Sequence, residues 1–295
     1  MKYINDIDFK MDNTCVGFGD FDGVHSGHRA VIDKLREVSV RGLTSVVLSF
    51  EYDEPLLEGK KILATEAEKR YLLEKNGPDV MVSYKVNAGN KDIPVIGFIG
   101  EVLIGRLGAK VIVSGSDSKY IGVLRECASI YGYTLVECET VLYESGPVTA
   151  GRITQEMEAG RLQKANEMLG HPYLIIGEVL HGKARGRTVG MPTANIGYPS
   201  YKQLPEHGVY GTLSDIGGKV VKGLTNIGRR PSDDNFDYVS VEAFLLDFSD
   251  DIYGKTITLE IHVHIRGVIK FNNLEEVKLQ VNKDIVSIRA FLDKY

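Results

Sequence analysis

Cysteine is scarce and scattered. Cys15, Cys127 and Cys138 form an odd set of three without C-x-x-C spacing. This excludes a disulfide framework and a tetrahedral zinc site, and it predicts reduced, buried thiols. No window approaches the roughly eighteen apolar residues of a membrane span. Met1–Lys10 carries no apolar segment of a secretory signal, so a cytoplasmic protein is expected. Positive charge is not clustered either. The formal net charge is −5, and the longest cationic runs are pairs such as Lys60-Lys61 and Arg229-Arg230. Such a surface has no electrostatic footprint for nucleic acid or an anionic membrane. Repeats and low-complexity tracts are also missing. The expected partners are small molecules, and the pattern leaves oligomeric state open.

A chain of 295 residues is long for one core and fits two domains. The first half alternates short apolar strands with helical patterns. T-C-V-G-F-G at 14–19 precedes a helix over 28–41, and T-S-V-V-L-S-F at 44–50 precedes one over 65–76. Further strands at 80–82, 110–115 and 134–138 are separated by helices over 94–108 and 119–132. This alternation predicts a parallel, doubly wound sheet. A helix over 153–169 stops at Gly170-His171-Pro172. Beyond it, strand-like segments separated by Gly, Pro and Asp predict an antiparallel barrel. The last segment, from Leu274, repeats apolar residues at Val277, Leu279, Val281, Ile285, Ile288 and Leu292, a helix packed on the barrel. The boundary is placed at 160, giving domains 1–160 and 161–295.

Two stretches carry chemistry. R-G-R-T-V-G-M-P-T-A-N at 185–195 puts a glycine-rich turn ahead of a Pro-Thr-x-Asn tetrad. Gly186 and Gly190 let backbone N–H groups approach an anion, Arg185 adds positive charge, and Thr193 and Asn195 offer oxygens to a hard cation such as Mg²⁺. Taken alone, such a turn is more often a surface loop with an Asx cap. Near the amino terminus, G-F-G-D-F-D-G-V-H-S-G-H at 17–28 ends a strand and starts a helix. His25 and His28 would then face a phosphate at that helix N-terminus.

The second half resembles the riboflavin kinase module. It has P-T-A-N at 192–195, G-V-Y at 208–210, N-I-G-R-R-P at 226–231, V-E-A-F-L-L-D-F at 241–248 and I-Y-G at 252–254, in that order. The 17–28 stretch, with its H-x-G-H, resembles the nucleotidyltransferase half of the bifunctional bacterial riboflavin kinase/FMN adenylyltransferase (FAD synthetase) family. The resemblance implies a Rossmann-like nucleotidyltransferase domain followed by a kinase β-barrel with a C-terminal helix. It implies ATP as co-substrate, riboflavin and FMN as substrate or product, and Mg²⁺. It makes Glu242 and Asn195 catalytic and Thr193 with Asn195 the Mg²⁺ ligands. Gly182, Lys183, Arg185, Gly186, Gly190 and Thr193 would hold ATP, and Arg266 with Phe271 the flavin. In the first domain it assigns nucleotide binding to Gly19, Phe21, Asp22, Gly23, His25, Gly27, His28, Thr149 and Arg152. His262 and His264, two apart on one strand without a third ligand, are read as a solvated face.

The first domain departs from the family pattern. Asp20 replaces an asparagine, S-F-E-Y-D-E-P at 49–55 replaces a segment with Pro-His-Pro, and S-G-S-D-S-K-Y at 114–120 replaces an aromatic Phe-x-Phe-Gly loop. Carboxylates gained beside a nucleotide oppose its binding. The expectation is a riboflavin kinase whose FMN adenylyltransferase activity is weakened. Full bifunctionality, aided by Lys119 and Arg152, and a non-catalytic flavin-binding regulator remain as alternatives.

Overall fold

The computed structural model describes residues 1–6, 8–40, 42–181, 191–230 and 238–294. They form two compact units, Met1–Ala150 and Gly151–Tyr295.

The first unit contains β1 (Lys2–Ile4), β2 (Thr14–Gly19), α1 (Ser26–Ser39), β3 (Thr44–Tyr52), α2 (Glu66–Asn76), β4 (Val80–Val86), α3 (Val95–Phe98), β5 (Ala109–Gly115), α4 (Ile121–Tyr131), β6 (Thr134–Cys138) and a hairpin of β7 (Leu142–Tyr143) and β8 (Gly146–Pro147). The sheet order is β1-β4-β3-β2-β5-β6, with every pair parallel. Its central strands are apolar along their length because both faces are covered; Val46, Val47 and Leu48 are fully buried. After β2 the chain runs outward through β3 and β4, then returns to β5 on the other flank. The order therefore reverses beside β2, and ligands of such sheets bind at the carboxyl ends of strands at this reversal.

The second unit contains α5 (Ala150–Glu158), α6 (Leu162–Leu169), β9 (Tyr173–Leu180), β10 (Ala194–Ile196), β11 (Gly208–Ile216), β12 (Lys219–Arg230), β13 (Tyr238–Leu245), β14 (Thr256–Gly267) and α7 (Leu274–Leu292). The six strands close in the order β10-β13-β12-β11-β14-β9. On α7, Ile288 and Leu292 are fully buried against Val209, Leu224 and Leu246.

Several local expectations change. The single helix over 153–169 is two, since Gly160 turns left-handed at φ 71° and breaks it. Within the second unit, Glu206 N–H donates to the Met157 carbonyl, which ties α5 to the segment before β11. The helix over 94–108 widens after α3, with Gly105 N–H reaching back five residues to the Gly100 carbonyl at 3.0 Å. Leu279 is 62% exposed, because α7 packs through Val281, Ile285, Ile288 and Leu292. His262 is buried rather than solvated, with Nε2 3.3 Å from the Glu260 carboxylate. The three cysteines are free and buried, and burial pushes the Cys15 thiol up to about 11, so it is no nucleophile near neutral pH.

Barrel closure leaves no room at Gly177, where an added Cβ would sit 1.9 Å from the Gly197 carbonyl oxygen. Gly177→Ala should therefore destabilise the protein by about 1–3 kcal/mol, read as a lowered Tm in calorimetry.

Candidate active sites

In the barrel, register assembles one row of side chains. Asn195 on β10 pairs with Glu242 on β13, and Glu242 with Asn226 on β12. Asn226 pairs with Val209 on β11, and Val209 with Arg266 on β14. Directly opposed residues share a face of the sheet. Positions 195, 242 and 266, far apart in the chain, thus lie in one band around the barrel. Asn226 belongs to the N-I-G motif but was not singled out in the sequence; its place beside Glu242 comes from register alone.

Glu242 Oε1 accepts a hydrogen bond from Ser240 Oγ at 2.9 Å, which orients the carboxylate. Arg266 and Phe271 meet, with the guanidinium 5.8 Å from the ring centroid. Thr193 opens onto a cavity of about 460 Å³, with Pro192, Ala194, Phe248, Asp250, Asp251 and Tyr253 among its walls. The volume suits a nucleotide-sized ligand. His181 stacks on Tyr253 at 3.9 Å. Gly182, Lys183, Arg185, Gly186 and Gly190 lie outside the described residues.

In the first unit, the turn after β2 is conformationally extreme. Gly23 has φ 74°, and the non-glycine residues Phe21 and Val24 have φ 46° and 41°. A β-branched residue at positive φ is strained, and the surrounding fold must hold it there. Phe21 and Val24 are buried, and Asp22 Oδ1 accepts from the Ala64 N–H at 2.9 Å. This turn delivers His25 as the cap of α1, its Nδ1 accepting from the His28 N–H. His28 stacks on His25 with centroids 3.6 Å apart. Gly27 permits this, because a Cβ there would lie 3.1 Å from His25 Cε1. His28 Nδ1 is sealed from solvent with no hydrogen-bond partner among the described residues. Burial, then His25, then Lys69 hold the His28 imidazole well below its usual range. It is neutral at neutral pH.

Lys69 is a residue that sequence reasoning missed. It is 6% exposed and donates to Ser49 Oγ at 3.1 Å and the Phe50 carbonyl at 3.0 Å, at the carboxyl end of β3. One signal was available. A lysine in the first turn of a helix opposes the helix dipole; here Glu66, 3.8 Å away on the same helix, offsets its charge. Thr149 is exposed, and Arg152 lies on α5 in the second unit.

The departures from the family pattern partner one another. Tyr52 Oη donates to Asp20 Oδ1 at 2.6 Å, and Asp20 helps raise the Lys119 ammonium above its usual range, after the Tyr120 hydroxyl. The 114–120 segment that replaces the Phe-x-Phe-Gly loop still places an aromatic residue on the core. Tyr120 stacks on Phe18 at 5.5 Å, and Phe18 continues into Phe50 and Phe98.

Comparison with known proteins gives matching results for each unit. A riboflavin kinase family model matches residues 169–292, and an FAD synthetase model matches residues 9–146. The bifunctional riboflavin kinase/FMN adenylyltransferase of Bacillus subtilis (strain 168) is 32% identical over 285 residues, covering 91% of this chain and 89% of its own. That of Haemophilus influenzae is 31% identical and covers 93% of each. A crystal structure described as a macrolide-efflux protein from Streptococcus pneumoniae superposes with TM-score 0.84 at 25% identity, covering 98% of this chain and 99% of that one. Among the described residues no helix is long and apolar enough to cross a membrane.

The lowered His28 value sets a pH dependence. Above an unfolded histidine value of about 6.5 the imidazole is neutral in both states. Below it the unfolded chain takes up a proton that the folded site refuses, so stability falls with falling pH. Thermal unfolding of the full chain from pH 7.5 to 5.5 should show this loss, and His28→Asn should lessen it.

Proposed function

The chain belongs to the bifunctional riboflavin kinase/FMN adenylyltransferase family, and from that premise we propose that its barrel unit phosphorylates riboflavin to FMN while its sheet unit transfers adenylate to FMN at a weakened rate. The observation that carries the kinase reading is the register row joining Asn195, Glu242 and Arg266. In this reading the ribityl 5′-hydroxyl gives its proton to Glu242 as its oxygen attacks the γ-phosphorus of ATP. The bond from that phosphorus to the β-bridging oxygen breaks, and ADP leaves. Ser240 holds the carboxylate in place. Arg266 and Phe271 receive the flavin ring, the guanidinium donating to ring carbonyls and the aromatic face covering it. ATP occupies the cavity beside Thr193.

Thr193 and Asn195 supply neutral oxygen donors two residues apart at the start of β10, a set that fits Mg²⁺. When bound, the ion supplies charge neutralisation of the β- and γ-phosphates. A flavin-binding regulator needs neither a base nor metal donors, so the pairing of Asn195 with Glu242 supports an enzyme.

In the sheet unit, the α1 N-terminus with His25, His28 and Lys69 supports adenylyl transfer: positive ends of N–H dipoles and two imidazoles face the charge that develops as pyrophosphate departs. Phe18 and Tyr120 offer the acceptor an aromatic surface. Asp20, Asp53 and Glu54 are exposed acids near this end of the sheet, and each carboxylate near a polyanion opposes it by about 1 kcal/mol. They support the weakened rate, and Lys69 supports its being above zero.

Glu242→Gln should leave riboflavin affinity near normal and slow phosphorylation by about 10²–10⁴, measured by riboflavin fluorescence quenching and FMN formation. Unchanged turnover would remove Glu242 from the mechanism. His28→Ala should abolish FAD formation from FMN and leave FMN formation intact; loss of FMN formation as well would overturn the division between units.

A further inference from the structure

Arg266 ends β14 and is followed by four exposed residues, Gly267, Val268, Ile269 and Lys270. An arginine at such a place is ordinarily mobile, and ordering its long side chain costs conformational entropy. Here it is held. Its Nε donates to Asp284 Oδ2 at 3.0 Å, Nη2 lies 2.9 Å from the same oxygen, and Nη1 donates to the Gly267 carbonyl at 3.1 Å. Asp284 belongs to α7 and is 2% exposed. Its second oxygen, Oδ1, accepts from Gln280 Nε2 at 2.8 Å, one turn earlier. The carboxylate is thus fixed from both sides.

This pair is an odd way to hold a helix. Burying a carboxylate costs solvation, and apolar residues of similar size often stabilise as well or better. The neighbouring Ile285 and Ile288 already pack on the barrel with Val281 and Leu292, and exposed ion pairs of Lys222 with Asp293 and Arg289 with Asp247 join α7 to β12 and to the segment after β13. Docking of α7 therefore does not account for Asp284. Its effect falls on the guanidinium, which it fixes beside Phe271 and at the end of the row containing Asn226 and Glu242.

We propose that Asp284 is a positioning residue for the flavin: through its two contacts with Arg266, oriented by Gln280, it sets the guanidinium for the polar edge of the isoalloxazine ring and so governs riboflavin affinity rather than phosphoryl transfer. This rests on the kinase reading of the barrel. Asp284 touches neither substrate in this account and acts only through Arg266.

The test is a double-mutant cycle in the full-length protein, with kcat and both KM values measured for wild type, Asp284→Asn, Arg266→Ala and the double variant. Asp284→Asn should raise the riboflavin KM about tenfold while kcat and the ATP KM stay within about twofold. In the Arg266→Ala background it should add less than about twofold. The same rise in both backgrounds, or a fall in kcat with riboflavin KM unmoved, overturns the proposal. If Asp284→Asn does not fold, Gln280→Ala carries the test, with an expected rise of about threefold in riboflavin KM and an unchanged KM as the contrary result. A wild-type protein that makes no FMN overturns the kinase reading and this proposal with it; one that makes FMN but shows additive effects overturns this proposal alone.

Discussion

Strand register in the closed barrel is the constraint on which the second unit depends. Pairing fixes Asn195 opposite Glu242, Glu242 opposite Asn226, Asn226 opposite Val209 and Val209 opposite Arg266. A slip of one residue in any strand would turn its member of the row to the other face. Closure enforces the register twice, since each strand is paired on both edges. The tight packing of Gly177 against Gly197 shows how closely β9 and the β10 end must approach. Stability and the geometry of this row therefore share one cause: the hydrogen bonds that close the barrel also set the positions of Glu242 and Arg266 relative to one another.

The first unit reaches its site differently. There a strained turn, rather than register, sets the two histidines. Positive φ at Phe21, Gly23 and Val24 brings His25 and His28 into a stacked pair at the start of α1, and burial keeps His28 neutral. Acids that look hostile to a nucleotide in the sequence are partly answered in the fold. Tyr52 donates to Asp20, and Asp20 in turn helps hold the Lys119 ammonium above its usual range.

Much of this was legible in the sequence, for identifiable reasons. Short apolar strands alternating with amphipathic helices announce the parallel sheet, because burial on both faces leaves continuously apolar strand segments between the helices. The barrel announces itself through turn residues between strands. The motif residues Asn195, Glu242, Arg266 and Phe271 were readable, and the structure brings them into one band and one ring contact. What was not readable depends on long-range geometry. Asn226 acquires meaning only beside Glu242, and Asp284 only against Arg266, 18 residues away. Leu279 keeps helical spacing yet points away from the barrel, because α7 needs only a narrow stripe to dock. Strand alternation alone does not say which face a barrel buries, and His262, on a strand face that the sequence leaves solvated, is buried.

The most direct measurement is chromatographic analysis of the products formed by the purified full-length protein with ATP and Mg²⁺, supplied with riboflavin in one tube and FMN in another. The account predicts FMN accumulating from riboflavin, with FAD appearing slowly in both tubes. A riboflavin tube in which no FMN forms would contradict it.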